Sequence, residues 1–195
     1  MSESRNKFGL TESQIERLCD ARLPMFTQTT SLMKLGYEPA FEFLKDESYI
    51  DRGTGKMYGL HFLSPTARSY IDTLNVFMLS ARAMVLAGIA VEYMYIYELF
   101  NMVRERRKKY VELPEADFIY IVDFHASGGP AYEGENRREM EGLMRQMVES
   151  GIGLCILTSK TLDDCNEWWS DEFLAYMDTH TVRVPVKNTL KKAKR

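Results

Sequence analysis

From position 57 onward, short apolar runs alternate with longer segments whose apolar residues recur at helical spacing. The apolar runs predict strands at 57–63, 89–95, 118–122, 153–157 and 181–186. The intervening segments predict helices at 72–87, 96–109, 140–147 and 162–177. Parallel strands need a long crossover, which a helix normally supplies. The order therefore predicts an α/β fold, a five-stranded parallel sheet with helices on both faces.

The segment before the first predicted strand has a different pattern, typical of a helical lead-in. Thr11 followed by Gln14 forms a capping-box signature, and Ile15 begins the apolar face of a short helix. At the other end, lysine and arginine are concentrated in the last residues. The predicted division of the chain is a lead-in at 1–56, a core at 57–187 and a basic tail at 188–195.

Composition restricts the class of protein. The chain has 195 residues, of which 45% are hydrophobic, and a formal net charge of −3, so nothing attracts it globally to nucleic acid. Its three cysteines are widely separated, which favours a reducing compartment over a disulfide framework. The first residues lack the apolar core of a signal peptide, and charged residues interrupt the apolar stretch at 76–95. We expect a cytoplasmic protein without membrane association.

The segment after the first predicted strand is where a phosphate-binding loop would lie. Such a loop, Gly-x-x-x-x-Gly-Lys-Ser/Thr, wraps phosphates with backbone amides and a lysine at a helix N-terminus. In this chain Ser64 and Ser69 occupy the glycine positions. Tyr70 takes the lysine position, and Ile71 that of the magnesium-binding hydroxyl. Every chemical element of the motif is missing, which predicts a degenerate nucleotide site.

A second string, Gly53-Thr54-Gly55-Lys56, resembles the end of a phosphate-binding loop. It precedes the strand instead of following it, and Met57 stands where the hydroxyl residue would be. We therefore interpret the string as a turn. The alternative is an atypical nucleotide-binding ATPase in which Lys56 or Arg68 supplies the positive charge.

The third predicted strand ends in a sequence typical of a Walker B segment. Four apolar residues precede Asp123, the position that would hold magnesium in an active ATPase. The next residue, where a glutamate would polarise the attacking water, is Phe124. Without its partners, Asp123 is interpreted as a residue that anchors a loop.

Other potential ligands are scattered along the chain. His61, His125 and Cys155 could converge near strand ends, but they lack the close ligand spacing of zinc motifs. We interpret them as core or loop residues, and we predict neither a metal nor another cofactor.

Several short segments, each of which is a weak signal by itself, occur along nearly the whole chain in the order and at the spacing of one known family. They are Arg22-Leu23-Pro24 with Phe26, residues 59–65, Val122-Asp123, residues 157–160 and residues 168–178. Over 21–186 the chain thereby resembles the DnaC/IstB-type AAA+ ATPases, the helicase loaders and transposition helpers of bacteria and phages. The resemblance implies a RecA/AAA+-like P-loop NTPase core with little or no C-terminal lid.

Two further positions depart from that family. Lys160 replaces the sensor asparagine, and Thr179 replaces the arginine finger. Because the loop lysine, the magnesium hydroxyl and the catalytic glutamate are also missing, nothing is left to stabilise a transferring phosphoryl group. The resemblance implies a helicase-loader-like, catalytically inactive protein of DNA replication that contacts a replicative helicase or other AAA+ subunits. Phages and mobile elements are its expected source.

The sequence offers two candidate contact regions for such partners. Phe8 and Ile15 lie in the N-terminal segment, whereas Trp168 and Trp169 are adjacent in a predicted helix. Adjacent helix positions do not share a face, so one tryptophan is expected to be exposed for a partner or a second subunit. The alternative is that both tryptophans pack under the neighbouring loop.

A different function class is direct binding of single-stranded DNA. Electrostatic contacts from clustered cations bind nucleic acid without sequence preference and weaken with salt. The alternative is a solvated helix end that the helix dipole favours. The candidate residues are Arg104, Arg106, Arg107, Lys108, Lys109, Lys191 and Lys192.

Overall fold

Five parallel strands form a single sheet. They are β1 (Gly59–Leu63), β2 (Val91–Tyr95), β3 (Phe118–Val122), β4 (Gly153–Thr158) and β5 (Thr181–Arg183). Their order is β2-β3-β4-β1-β5, and every neighbouring pair is parallel. The predicted five-stranded parallel sheet is confirmed. The structure is a computed structural model, and it describes residues 10–23, 38–53, 56–64, 70–106, 112–122, 124 and 134–186.

Helices cover both faces of the sheet, as predicted. In the described residues they are α1 (Glu12–Asp20), α2 (Glu38–Lys45), α3 (Tyr70–Leu86), α4 (Ile96–Arg106), α5 (Gly134–Glu149) and α6 (Asp171–His180). Buried side chains of α1, α2 and α3 form one apolar cluster, and those of α4, α5 and α6 form another. None of the helices in the described part of the chain is both long and apolar enough to cross a bilayer.

The two clusters lie on opposite faces of the sheet, and the strand β3 contributes side chains to both. Phe118, Tyr120 and Val122 belong to the cluster under α1–α3, whereas Ile119 and Ile121 belong to the cluster under α4–α6. Successive side chains of a strand point to opposite faces, so a strand covered on both sides has to be apolar at every position. The continuous apolar run in the sequence is the direct consequence.

Several helix ends follow the local chemistry of the sequence. The side chain of Thr11 accepts a hydrogen bond from the backbone N–H of Gln14, and the Gln14 side chain accepts one from the backbone of Thr11. This confirms the predicted capping box. Gly88 and Gly151, which follow α3 and α5, have φ angles of 91° and 90°, a conformation that favours glycine.

The helix predicted at 162–177 is wrong in its first half. The chain forms a short 3₁₀ helix at Asp163–Cys165, and α6 begins only at Asp171. Ser170 caps α6 because its side chain accepts from the N–H of Phe173 at 3.2 Å. The Glu141 carboxylate of α5 accepts from both the backbone N–H and the hydroxyl of Ser170, at 2.7 and 2.8 Å. These bonds fix the start of α6. The helix α2 was not predicted.

Candidate functional site

In a parallel sheet with helices on both faces, functional residues usually lie at the carboxyl ends of the strands. The strand ends of interest here are those of β1, β3 and β4. At the end of β1, Ser64 is fully buried and its N–H donates to the carbonyl of Thr158 at 2.8 Å. Ser69 lies outside the described residues. Tyr70 begins α3 and packs partly buried against the apolar cluster, whereas Ile71 is 69% exposed. No phosphate-binding side chain stands at Tyr70 or Ile71.

Beyond β3, Phe124 is fully buried in the cluster under α4–α6. Its ring stacks on that of Trp169 with centroids 4.9 Å apart, and its carbonyl accepts a 2.9 Å hydrogen bond from the Trp169 indole. The position that would carry a water-polarising glutamate is thus part of the core. Asp123 lies outside the described residues.

At the end of β4, polar contacts link three segments. The hydroxyl of Thr158 donates to the carbonyl of Lys160 at 2.7 Å and lies 2.7 Å from Nε2 of His61. Because the hydroxyl proton is used on Lys160, the imidazole donates from Nε2. The Lys160 ammonium lies 3.7 Å from the Glu167 carboxylate and 4.9 Å from the centroid of the Trp168 ring. Lys160 is therefore engaged with its own loop.

The side chain at the position predicted to correspond to an arginine finger is bonded to its own helix. Thr179 is exposed, and its hydroxyl donates to the carbonyl of Tyr176 at 2.8 Å. His180 stacks on Tyr176 with ring centroids 4.0 Å apart, and the Arg145 guanidinium lies 4.7 Å from the Tyr176 ring.

A small polar cavity of about 230 Å³ lies beside β1 and β5. Asp163, Asp178 and Arg183 contribute its charges, and His61 lies on its wall. Burial, reinforced by Arg183 and opposed by Asp178, lowers the pKa of His61 to about 4, so the imidazole is neutral at pH 7. Ligand cavities usually exceed about 300 Å³. This cavity is small for a nucleotide.

The scattered metal-ligand candidates are not brought together. Cys155 is fully buried, and burial raises the pKa of its thiol far above the ordinary range. His125 lies outside the described residues. Within the described ranges, no group of three or more histidine, cysteine or acidic side chains could hold a metal ion. Of the second glycine-containing string, Gly53 lies in a turn, and the N–H of Asp51 donates to the Lys56 carbonyl at 2.9 Å, whereas Thr54 and Gly55 lie outside the described residues.

The candidate partner contacts are only partly placed at the surface. Phe8 lies outside the described residues, and Ile15 is half-buried against the apolar cluster of α1–α3. The expectation that one tryptophan is exposed is wrong, because Trp168 is 7% exposed and Trp169 is fully buried. Both lie in the turn before α6 and belong to the apolar cluster under α4–α6.

Of the candidate nucleic-acid contacts, Arg104 and Arg106 are described. Arg104 is exposed at the end of α4, and its guanidinium lies 5.8 Å from the centroid of the Phe100 ring. Arg106 donates to the side chain of Gln146 on α5 at 2.8 Å. The other candidates lie outside the described residues, namely Arg107, Lys108, Lys109, Lys191 and Lys192.

An aromatic pair that the sequence reasoning missed lies at the junction of β2 and α4. Tyr95 is 41% exposed and Tyr97 is 58% exposed, and their rings stack with centroids 5.6 Å apart. The sequence signal was the recurrence of tyrosine at every second position, since Tyr93 precedes this pair. Tyr93 is buried, and its ring contacts that of Tyr95 edge-on.

Comparisons with known proteins support the fold. No protein-family model and no curated protein sequence matches this chain. The crystal structure of DnaI is similar with a TM-score of 0.56 and 12% identity, over 85% of this chain and 93% of that chain. DnaA from Aquifex aeolicus bound to AMPPCP gives a TM-score of 0.52 and 13% identity, over 80% of this chain and 47% of that one.

A crystal structure of a DNA replication initiation factor also has a TM-score of 0.52, with 12% identity over 79% of this chain and 46% of that chain. The chain therefore spans about half the length of these last two proteins. At such identities the likeness concerns the fold alone. The strand order, the parallel pairing and these similar structures together show that the chain has the α/β fold, built on a five-stranded parallel sheet, that is found in DnaI and DnaA.

Proposed function

We propose that this chain is a catalytically inactive AAA+-like protein that acts in DNA replication as a helicase-loader-like, partner-binding module. Its fold supports the link to replication, because DnaI and DnaA share it. Its partners are a replicative helicase or other AAA+ subunits. Docking to such partners depends on shape complementarity and apolar burial and does not need nucleotide.

The observation that carries the proposal is the burial of Phe124. In an active ATPase of this fold, a polar side chain at this position orients the attacking water. Here the ring is enclosed by the core and stacked on Trp169. A side chain in that place cannot reach a phosphate without exposing the apolar cluster, so catalysis has been replaced by packing.

The other described positions agree with this loss. Lys160 is held by Glu167 and Trp168, and Thr179 is bonded to the carbonyl of its own helix. Phosphoryl transfer is catalysed almost entirely by positioning and by electrostatic stabilisation. The groups that would position the phosphates or stabilise their charge are replaced in this chain by Tyr70, Ile71, Phe124 and Thr179.

Equilibrium dialysis with labelled ATP and magnesium tests the inactivity. We expect no tight, magnesium-dependent binding and no phosphate release. Tight binding with turnover would favour the atypical ATPase that uses Lys56 or Arg68. Affinity capture from the native host tests the partner role, since a replicative helicase is expected among the co-purifying proteins. Capture of proteins unrelated to replication would contradict the role.

A second candidate function, binding of single-stranded DNA, is favoured by the stacked pair Tyr95 and Tyr97. Exposed aromatic rings provide a surface on which successive bases stack, and a nearby cation contacts the phosphates. Arg104 lies seven residues after Tyr97 on α4, so the two share a helix face about 10 Å apart. The arrangement has both components of such a site.

Fluorescence anisotropy of a labelled oligothymidine tests this second candidate. Tyr97→Ala is expected to weaken binding about tenfold, in line with the loss of one base stack. Arg104→Ala should also weaken binding and reduce its dependence on salt, whereas Arg138→Ala on the exposed surface of α5 serves as the matched control. Binding that is absent at low salt would exclude the candidate.

A further inference from the structure

A groove with an apolar floor and an acidic rim lies between β2, α4 and residues 112–114. Its volume is about 520 Å³. Met94, Met102 and Leu113 supply apolar surface, and the carboxylates on its wall belong to Glu92, Glu98, Glu105 and Glu112. On α4 the residues Glu98, Met102 and Glu105 recur at spacings of four and three, so one helix face borders the groove.

Acidic side chains outnumber cationic ones among the described residues that line this groove. Among the described residues that line the groove, Arg22 is the one cation, and its guanidinium lies 2.7 Å from Oε1 of Glu98. The other oxygen of Glu98 accepts from the backbone N–H of Tyr95 at 2.8 Å. Glu98 is thereby engaged twice, and the carboxylates of Glu92, Glu105 and Glu112 also line the groove.

Glu92 is the carboxylate at the centre of this surface. It lines the groove and also a neighbouring cavity of about 430 Å³, to which Asp20 and Glu115 contribute further acidic groups and Arg17 a cation. Burial, and to a smaller extent Glu98, raises the pKa of Glu92, and Arg22 opposes the shift. A cation placed beside Glu92 would favour its charged form. The acidic surface thus extends along the β2 edge of the sheet.

The chemistry of the groove selects one kind of occupant. Phosphates would be repelled by its carboxylates, so a nucleic acid does not fit. The side chains of lysine and arginine combine an aliphatic stem with a cationic head, which matches an apolar floor beneath an acidic rim. A volume of about 520 Å³ accommodates a few side chains of a peptide.

We propose that this groove binds a short segment of a partner protein in which lysine or arginine alternates with apolar residues. The inference deepens the partner-binding role proposed above and rests on it. The nucleotide-binding test of inactivity does not involve the groove, so the failure of one can be distinguished from the failure of the other.

The binding test uses three fluorescein-labelled peptides and the full chain. One alternates lysine with valine, the second alternates glutamate with valine, and the third alternates lysine with serine. The lysine–valine peptide is expected to bind, and to bind less tightly as salt is raised. The glutamate–valine peptide should not bind, and the lysine–serine peptide should bind more weakly because it leaves the floor uncovered.

Substitutions of groove residues test whether the peptide binds in the groove. Glu92→Gln combined with Glu112→Gln should weaken the lysine–valine peptide about tenfold, while Glu149→Gln on the exposed end of α5 should leave its affinity unchanged. Circular dichroism shows whether the doubly substituted variant folds. If it does not fold, the single substitution Glu112→Gln is used instead, because Glu112 is exposed.

Three outcomes would overturn the proposal. The first is an affinity for the lysine–valine peptide that the double substitution leaves unchanged. The second is the absence of binding of the lysine–valine peptide. If sedimentation then shows a self-association that the double substitution abolishes, the occupant is a second copy of this chain. The third is oligothymidine that competes with the peptide for the groove, which would make the surface a nucleic-acid site.

Discussion

The indole N–H of Trp169 donates to the backbone carbonyl of Phe124 at 2.9 Å, while the two rings stack at a centroid distance of 4.9 Å. Trp169→Phe keeps an aromatic ring but removes the donor, and it should cost about 1–3 kcal/mol because a buried carbonyl loses its partner. Trp169→Ala should cost about 3–5 kcal/mol, since it also leaves a cavity. Urea unfolding measures both losses.

Tyr97→Ala provides the control for these substitutions. Its side chain is 58% exposed, so the free energy of unfolding should change by no more than about 0.5 kcal/mol. If Trp169→Phe proves as mild as Tyr97→Ala, the hydrogen bond to Phe124 contributes little to stability.

Restoring an acidic residue at Phe124 should not restore catalysis. Phe124→Glu places a carboxylate in the apolar cluster, and the cost of burying an unpaired charge should unfold much of the protein. Phe124→Leu keeps the site apolar and should be milder, with a loss of about 1–3 kcal/mol. Thermal unfolding and phosphate release are the measurements. A folded Phe124→Glu variant that hydrolyses ATP would contradict the inference that the other residues of the site can no longer support catalysis.

Gly59 should not tolerate a side chain. A Cβ at this position would clash with the backbone carbonyl of Leu154 on the neighbouring strand, so β1 and β4 would have to separate. Gly59→Ala should therefore lower stability by about 3 kcal/mol or more, or prevent folding, as backbone clashes in a packed core do. Expression yield and urea unfolding give the comparison.

Gly142 on α5 is the matched control, because a Cβ there meets nothing within 4 Å. Gly142→Ala should raise the stability by about 0.5–1 kcal/mol, since alanine is the better helix residue. Equal effects at the two glycines would mean that the spacing of β1 and β4 is not what constrains Gly59.

His61 should make stability depend on pH. Its folded pKa of about 4 lies below the ordinary value of 6.5. As the pH falls from 6.5 towards 4, the unfolded chain takes up a proton that the folded chain excludes, so stability is lost across that window. Below it both states are protonated and the contribution levels off. Arg183, Asp178 and Asp163 are the charged groups around the same cavity.

Urea midpoints at a series of pH values test this linkage. Carboxylates also titrate in the same range, so the wild type is compared with His61→Gln, which retains an amide donor for Thr158. The variant should lose less stability than the wild type between pH 6.5 and 4. Parallel curves for the two proteins would show that His61 does not titrate as inferred.

Where the sequence has strong periodicity, its predictions agree with the structure. The strand predicted at 118–122 coincides with Phe118–Val122. A strand buried on both faces is apolar at every position, so its first and last residues can be identified from the sequence. The predicted first strand begins two residues early, since Met57 forms only an isolated antiparallel bridge with Ile50. Pairing with a neighbour, which periodicity does not encode, sets that boundary.

The errors have local causes. Ser170 followed by two acidic residues is a helix-start signature, and it lies inside the segment predicted as one helix. The apolar periodicity that includes Trp168 and Trp169 extended the predicted helix across this start signal. The two tryptophans were therefore expected on a helix surface. The acidic groove could not be predicted either, because Arg22, Glu92 and Glu112 are far apart in the sequence and meet only in the fold.

Glu98 joins two parts of the chain that are separate in sequence, since one oxygen bonds to Arg22 after α1 and the other to the N–H of Tyr95 at the start of α4. A ligand that draws Arg22 away leaves this carboxylate anchored only at Tyr95, beside the two stacked tyrosines. The position of the segment after α1 and that of the β2–α4 junction are therefore fixed relative to each other by one carboxylate.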